Sequence, residues 1–185
     1  MRIVMTLFAA ASTMTLAACD TKTNDPAAPK SEAARDAAGD TTIASGLAAD
    51  DSKFADAAKA SGLDATLAGP GPYTVLVPTN GAFDKLPAGQ LDTMMKPESR
   101  AQLTKVLTGH ILPGEMLAAD IAKAIDTGKG KASLATFGGG TITATKDGDR
   151  IVLTDSAGGK ALISASDDRR SNGVVHHVDG ILMPG

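Results

Sequence analysis

Apolar residues recur every three or four positions through most of the first half of this chain and every two positions in the second half. In the first regime Phe54, Ala57 and Ala58 share one face of a helix predicted over 51–61, with Asp50 or Asp51 to cap it and Gly62 to end it. Leu63 and Leu67 extend the pattern by another turn, and Gly69-Pro70-Gly71-Pro72 forms a rigid turn. Between 97 and 107, Leu103, Val106 and Leu107 fall on one face, with Pro97 in the first turn. Residues 115–125 place Leu117, Ile121, Ala124 and Ile125 together, and Gly128 lies beyond the end. A short helix is expected over 91–95, and 41–47 gives a poor signal for either helix or strand.

The helical half is interrupted once, by Thr74-Val75-Leu76-Val77-Pro78-Thr79-Asn80-Gly81-Ala82-Phe83. Its first four residues suit a buried strand. Pro78 stops that strand, because it cannot donate to a ladder. Thr79 or Asn80 then caps a helix that Ala82 and Phe83 begin. The rest of the chain is organised around this strand-to-helix corner, and a charge buried at Val77 is expected to unfold it.

From Ala132 onward the period is that of strands. Strands are expected over 133–136, 141–145, 150–154, 160–164 and 173–181, with a hairpin turn at Lys146-Asp147-Gly148-Asp149. Helices come mostly first and strands mostly last, which argues for an α+β fold over a doubly wound sheet.

The 185 residues suffice for one domain plus extra segments. Aromatic residues make up 3% of the chain and there is no Trp, so the core must be aliphatic. A net charge of −3 provides no basic footprint for nucleic acid, and the scarcity of aromatics provides no stacking platform. The single cysteine excludes an internal disulfide and a Cys-rich zinc site.

Residues 1–18 read as a secretory signal, with Arg2 before an apolar run from Ile3 to Ala11 that Met14 and Leu16 extend. The run is too short and too broken by Ser12, Thr13 and Thr15 for a membrane span. Leu16-Ala17-Ala18-Cys19 resembles a bacterial lipobox. That resemblance implies a lipid on Cys19, cleavage before it, and attachment to a bilayer at the periplasmic face or the cell surface. The alternative, an ordinary secretory signal, leaves Cys19 without a role. Residues 19–40 carry no large apolar side chain and read as a disordered tether, leaving 41–185 as the domain.

Three segments of that domain resemble fasciclin-type domains. The strand-Pro-Thr-Asn-x-Ala-Phe run at 74–83 is similar to the first signature of the family. Leu107-Thr108-Gly109-His110-Ile111-Leu112-Pro113-Gly114 is similar to its central His-x-x-Pro-Gly segment, and Asn172-Gly173-Val174-Val175-His176-His177-Val178-Asp179-Gly180-Ile181-Leu182-Met183-Pro184 to its second signature. The resemblance implies a wedge-like β-sandwich flanked by short helices. Pro78, Thr79, Asn80, Phe83, His110, Gly173, His176 and Asp179 become its structural signature. It also implies adhesion or protein–protein contact, with an unidentified protein or matrix partner. Integrin binding does not carry over, because Gly109 replaces the Tyr of animal members and Ser166-Asp167-Asp168-Arg169-Arg170 replaces their acidic-Pro-Asp-Ile-like run.

Other chemistry has weak support. His176 and His177 are strand neighbours that face opposite sides and cannot share one metal ion. His176 is expected packed and hydrogen-bonded, His177 exposed, and His110 structural. No Gly-x-Ser-x-Gly or phosphate-loop pattern occurs, so no catalytic residue, cofactor or metal is expected. Asp167, Asp168, Arg169 and Arg170 read as a solvated charged loop and a candidate contact surface. Asn80 and Asp179 are expected to satisfy backbone groups at the corner. The competing function is an envelope carrier for a small apolar ligand, with Met116 and Met183 lining its pocket.

Overall fold

The computed structural model describes residues 40–50 and 52–183. The signal segment, Cys19, nearly all of the tether, and Pro184 lie outside the described residues. Helices α1 (Ile43–Ala49), α2 (Lys53–Ser61) and α3 (Asp64–Ala68) precede strand β1 (Tyr73–Pro78). The short helices α4 (Asn80–Asp84) and α5 (Gln90–Met94) and a 3-10 turn at Pro97–Ser99 lead into α6 (Arg100–Thr108). Strand β2 (Ile111–Pro113) and helix α7 (Ala118–Thr127) follow. The chain closes with β3 (Lys131–Ala135), β4 (Thr141–Asp147), β5 (Arg150–Thr154), β6 (Lys160–Arg170) and β7 (Gly173–Val178).

All seven strands form one sheet in the order β2-β1-β7-β6-β5-β4-β3, and only β1 and β7 run parallel. The last strand therefore completes the first, residue against residue from Tyr73↔Gly173 to Pro78↔Val178. The sheet curls until its two edges meet: Phe137 N–H, just past β3, donates to Ile111 C=O of β2 at 2.9 Å, and Gly138 N–H to Thr108 C=O at 3.0 Å. The α+β class holds, but a single curled sheet replaces the expected sandwich of two facing sheets.

Alternation along β1 creates two cores. Leu76 turns into the curl of the sheet with Leu112, Ile142, Leu153, Val178 and Leu182, and Ile121 and Ile125 of α7 join them. Val75 and Val77 turn the other way, with Val175, onto Phe54, Leu103, Val106 and Leu107 of the helices. The buried positions of α7 are four apart and those of α6 three and four apart, the spacing of one helical face.

Several element ends differ from the sequence reading. Helix α2 starts at Lys53, because Ser52 rather than an aspartate supplies the cap, its Oγ accepting Phe54 N–H at 3.2 Å. Gly62 ends it at φ 83°, as expected. Helix α7 starts at Ala118, not 115: Glu115-Met116-Leu117 stays extended because the sheet holds it, as described below. Residues 111–113, to which the sequence reading assigned no element, pair with 73–75 as β2. The largest difference is β6, which runs to Arg170 and not 164. Asp168, Arg169 and Arg170 pair with Val175, Val174 and Gly173, so the charged run is strand and not solvated loop. Two register shifts and Asp167 at φ 64° break the alternation there, so period-two reading lost the strand.

Candidate functional site

The signature residues converge on the seam where β1 and β7 meet the helices. Pro78 is the last residue of β1, and Thr79 N–H still donates to Val178 C=O at 2.9 Å before the chain turns into α4. Thr79 is the N-cap residue of α4, but its side chain makes no capping bond. Asn80 does not cap α4 either. Its Oδ1 accepts Lys53 N–H at 3.0 Å and so ties the start of α2 to the corner. Phe83 is buried below the corner. Asp179 satisfies β6 instead of the corner, with Oδ1 accepting Leu162 N–H at 2.7 Å, while its backbone carbonyl takes Lys85 Nζ at 2.7 Å.

Both buried histidines use both ring nitrogens on backbone. His110 Nδ1 lies 2.9 Å from Val106 C=O, and its Nε2 accepts Leu182 N–H at 3.0 Å. An acceptor at Nε2 places the proton on Nδ1, so the ring is a neutral donor to Val106. Burial lowers its pKa from 6.5 to about 4, against smaller upward pulls from the Val106 carbonyl and Asp155. His176 is the opposite tautomer: Nδ1 accepts Asp167 N–H at 3.2 Å and Nε2–H donates to Met116 C=O at 2.8 Å. Burial lowers its pKa as well. His177, on the other face, is half-buried and not exposed as expected.

These bonds sew two irregular segments onto the sheet. Thr74 Oγ1 donates to Gly114 C=O and accepts Met116 N–H, each at 2.8 Å, and Asp167 Oδ1 accepts Ala118 N–H at 2.8 Å at the start of α7. With His176 they keep 115–117 out of the helix. The C-terminal residues are held by His110 and by Asp155, whose Oδ2 accepts Met183 N–H at 2.6 Å. Among the charged run, Arg170 reaches Asp168 at 2.6 Å and Asp50 at 3.8 Å, and Arg169 reaches Glu115 at 3.9 Å. The charges offered as a contact surface are thus engaged within the domain.

Gly173 sits at φ 153°, and a Cβ there would fall 2.0 Å from Tyr73 C=O across the parallel pair. No residue larger than glycine fits that approach. Its neighbour Asn172 was quoted in the second signature but not singled out as a site residue, and it holds more than most of those that were. Its Oδ1 accepts Ile43 N–H at 2.8 Å, and its Nδ2 donates to Leu67 C=O at 2.7 Å and Gly69 C=O at 2.8 Å. Only its place beside Gly173 marked it. Asn172→Ala leaves these buried backbone groups unpaired and should cost about 3 kcal/mol in urea unfolding. Asn172→Asp, which keeps the acceptor but sets a buried carboxylate oxygen against the Leu67 and Gly69 carbonyls, should cost at least as much.

An apolar cleft lies between the helices and the C-terminal residues, lined by Phe54, Pro78, Phe83, Leu103, His110 and Met183 among others. It leaves only about 10 Å³ open to a water-sized sphere. A small-molecule site holds roughly 300–1,000 Å³. Met116 is not on it and packs against the core inside the curl. Among the described residues, no group of three His, Cys, Asp or Glu is placed to hold a metal ion.

The curled sheet, the corner and the paired signatures define a class of fold. The chain matches the fasciclin domain over residues 49–184, and it belongs to that family. It is 34% identical over 173 residues to protein sll1483 of Synechocystis, covering 92% of this chain and 87% of that one. It is 37% identical over 129 residues to transforming growth factor-beta-induced protein ig-h3 of Sus scrofa, covering 69% of this chain but 17% of that much longer protein. Immunogenic protein MPB70 of Mycobacterium bovis is 31% identical over 114 residues, 62% of this chain and 51% of that one. The fold is similar to that of a FAS1 domain pair from the insect cell adhesion molecule fasciclin I, with a TM-score of 0.67 at 20% identity, covering 77% of this chain and 51% of that chain.

Proposed function

We propose that this protein is a lipid-anchored envelope protein that presents one fasciclin domain outside the cytoplasm for adhesion or protein–protein contact. The observation that carries the binding part is how the histidines are used. The groups best suited to acid–base or metal chemistry, His110 and His176, spend every ring nitrogen on backbone and serve as rivets. What remains for function is surface, which suits a domain that binds other proteins. The adhesion molecule in the likeness to fasciclin I supports the same reading. The anchor rests on the sequence around Cys19, and a diacylated or triacylated cysteine holds a protein at a bilayer stably.

Two measurements test the two parts. Cys19→Ala should move the protein from the membrane to the soluble fraction on cell fractionation. A variant that still pellets with membranes and resists salt washing excludes the anchor. Cells lacking the protein should attach less well to a matrix-coated surface, and should recover when it is restored. Unchanged attachment excludes adhesion.

A further inference from the structure

The curl of the sheet closes at one end and gapes at the other. Thr136 N–H donates toward β4, to Gly140 C=O at 3.0 Å. Antiparallel partners alternate, so 134 and 132 also face β4 in the register Leu134↔Ile142 and Ala132↔Ala144. Residues 131, 133, 135 and 137 therefore aim their backbone groups the other way. Phe137 meets β2 there, and Lys131 C=O faces Gly128, where an added Cβ would come within 2.0 Å of it. Ser133 and Ala135 lie between, on the outer edge of the last strand in the sheet, and no described strand pairs with them.

The Ser133 part of that edge opens on a groove of about 540 Å³ between α7 and β3, lined by Asp120, Lys123, Thr127, Lys131 and Ser133 among others. Its charge is positive on balance, since Lys123 and Lys131 line it against the one carboxylate of Asp120. Asp126 is taken by Lys146 at 2.7 Å, and Asp120 accepts Leu117 N–H at 3.2 Å. Lys123, Lys129 and Lys131 are exposed, and none has a carboxylate within 4.0 Å among the described residues. A cationic rim on a chain of net charge −3 is a local feature. Lysines on an edge also discourage pairing with a second copy of the same edge. Phe137, 53% exposed and edge-on to Tyr73 at 5.8 Å between ring centres, stands where the free edge ends.

We propose that the free edge of β3 accepts an extended acidic segment of a partner protein as an added strand, seated in the groove beside α7. The backbone of Ser133 and Ala135 supplies the ladder bonds, the lysine rim selects acidic side chains, and Phe137 offers an apolar anchor at the end of the edge. A partner of four or five residues suffices, since β3 is five residues long and spans about 15 Å. This names the partner chemistry for the protein-binding reading above and rests on it.

The test uses the isotope-labelled full chain and two synthetic eight-residue peptides, one alternating Glu with Thr and one alternating Lys with Thr. The Glu peptide should shift the amide resonances of Ser133 and Ala135, and raising salt from about 0.05 to 0.5 M should weaken it. The Lys peptide should not bind. Ser133→Pro removes an outward N–H on an edge strand, where proline is tolerated, and should weaken the Glu peptide by about tenfold or more at an unchanged melting temperature. Lys123→Glu with Lys131→Glu should do the same without touching the ladder. Absence of any shift with the Glu peptide, equal binding of both peptides, or shifts elsewhere on the domain overturns the proposal. So does concentration-dependent dimerisation that Ser133→Pro abolishes, which assigns the edge to a second copy. If wild type supports attachment and Ser133→Pro supports it equally, this site is excluded while the adhesion reading stands. If wild type supports none, that reading fails whatever the peptides do.

Discussion

Val75→Asp should abolish folding at neutral pH. Val75 is fully buried at the centre of β1, and its cross-strand neighbours Ile111 and Val175 are buried and apolar. A carboxylate there would sit in the apolar cluster of Phe54, Leu103, Val106 and Val175, and a buried unpaired charge is among the few single changes that cost more than about 4 kcal/mol. That is most of the margin of a small domain, which is about 5–15 kcal/mol. Val75→Ala removes two methyl groups from the same place and should cost only about 2 kcal/mol. Circular dichroism melts separate the two outcomes, and a cooperative melt for Val75→Asp within a few degrees of wild type would remove β1 from the centre of the fold. Val77, the position the sequence singled out, should be more forgiving. Its partner in the parallel register is His177, which is half-buried and able to approach a carboxylate. The gap between the two Asp variants measures how much that histidine relieves.

That contrast shows what the chain's pattern reveals and what it conceals. The β1 corner was legible because a β-branched apolar run ending in proline has few other uses, and the second signature announced the strand that pairs with it. The hairpin of β4 and β5 was legible for the same local reason, and Arg150–Thr154 begins and ends where expected. Concealment began wherever a partner distant in sequence decides the outcome. Strand β2 is three residues long and exists because β1 is beside it. Charged residues in β6 look like loop until β7 pairs with them across two bulges. The extended run at 115–117 has a helical pattern of side chains but is held straight by Thr74 and His176. Asn172 belongs to the same category: its partners at 43, 67 and 69 are more than 100 residues away. The identity of the buried histidines was readable, but the rings' tautomers and partners were not.

Those rings set the second large expectation: the domain should lose stability on acidification from pH 6.5 toward 4. His110 holds a proton poorly when folded, at a pKa of about 4, and at 6.5 when unfolded. Between those values the unfolded chain binds the extra proton, so stability rises with pH through the window and is complete above 6.5. At about 1.4 kcal/mol per unit, His110 alone accounts for roughly 3 kcal/mol. His176 is shifted in the same direction and adds to the slope. Geometry gives the cause beside desolvation. A proton added at His110 Nε2 would face Leu182 N–H, and one added at His176 Nδ1 would face Asp167 N–H, so each cation sets two donors against each other. Acid should therefore first loosen the C-terminal residues and the bulge of β6. Urea midpoints measured from pH 7 to 4 should fall steeply for wild type. They should fall far less for His110→Gln with His176→Gln, which starts lower at pH 7 because lost backbone bonds cost about 1–3 kcal/mol each. Both proteins carry the same carboxylates, so the difference between the two slopes isolates the histidines. Equal slopes would show that neither ring governs the acid response.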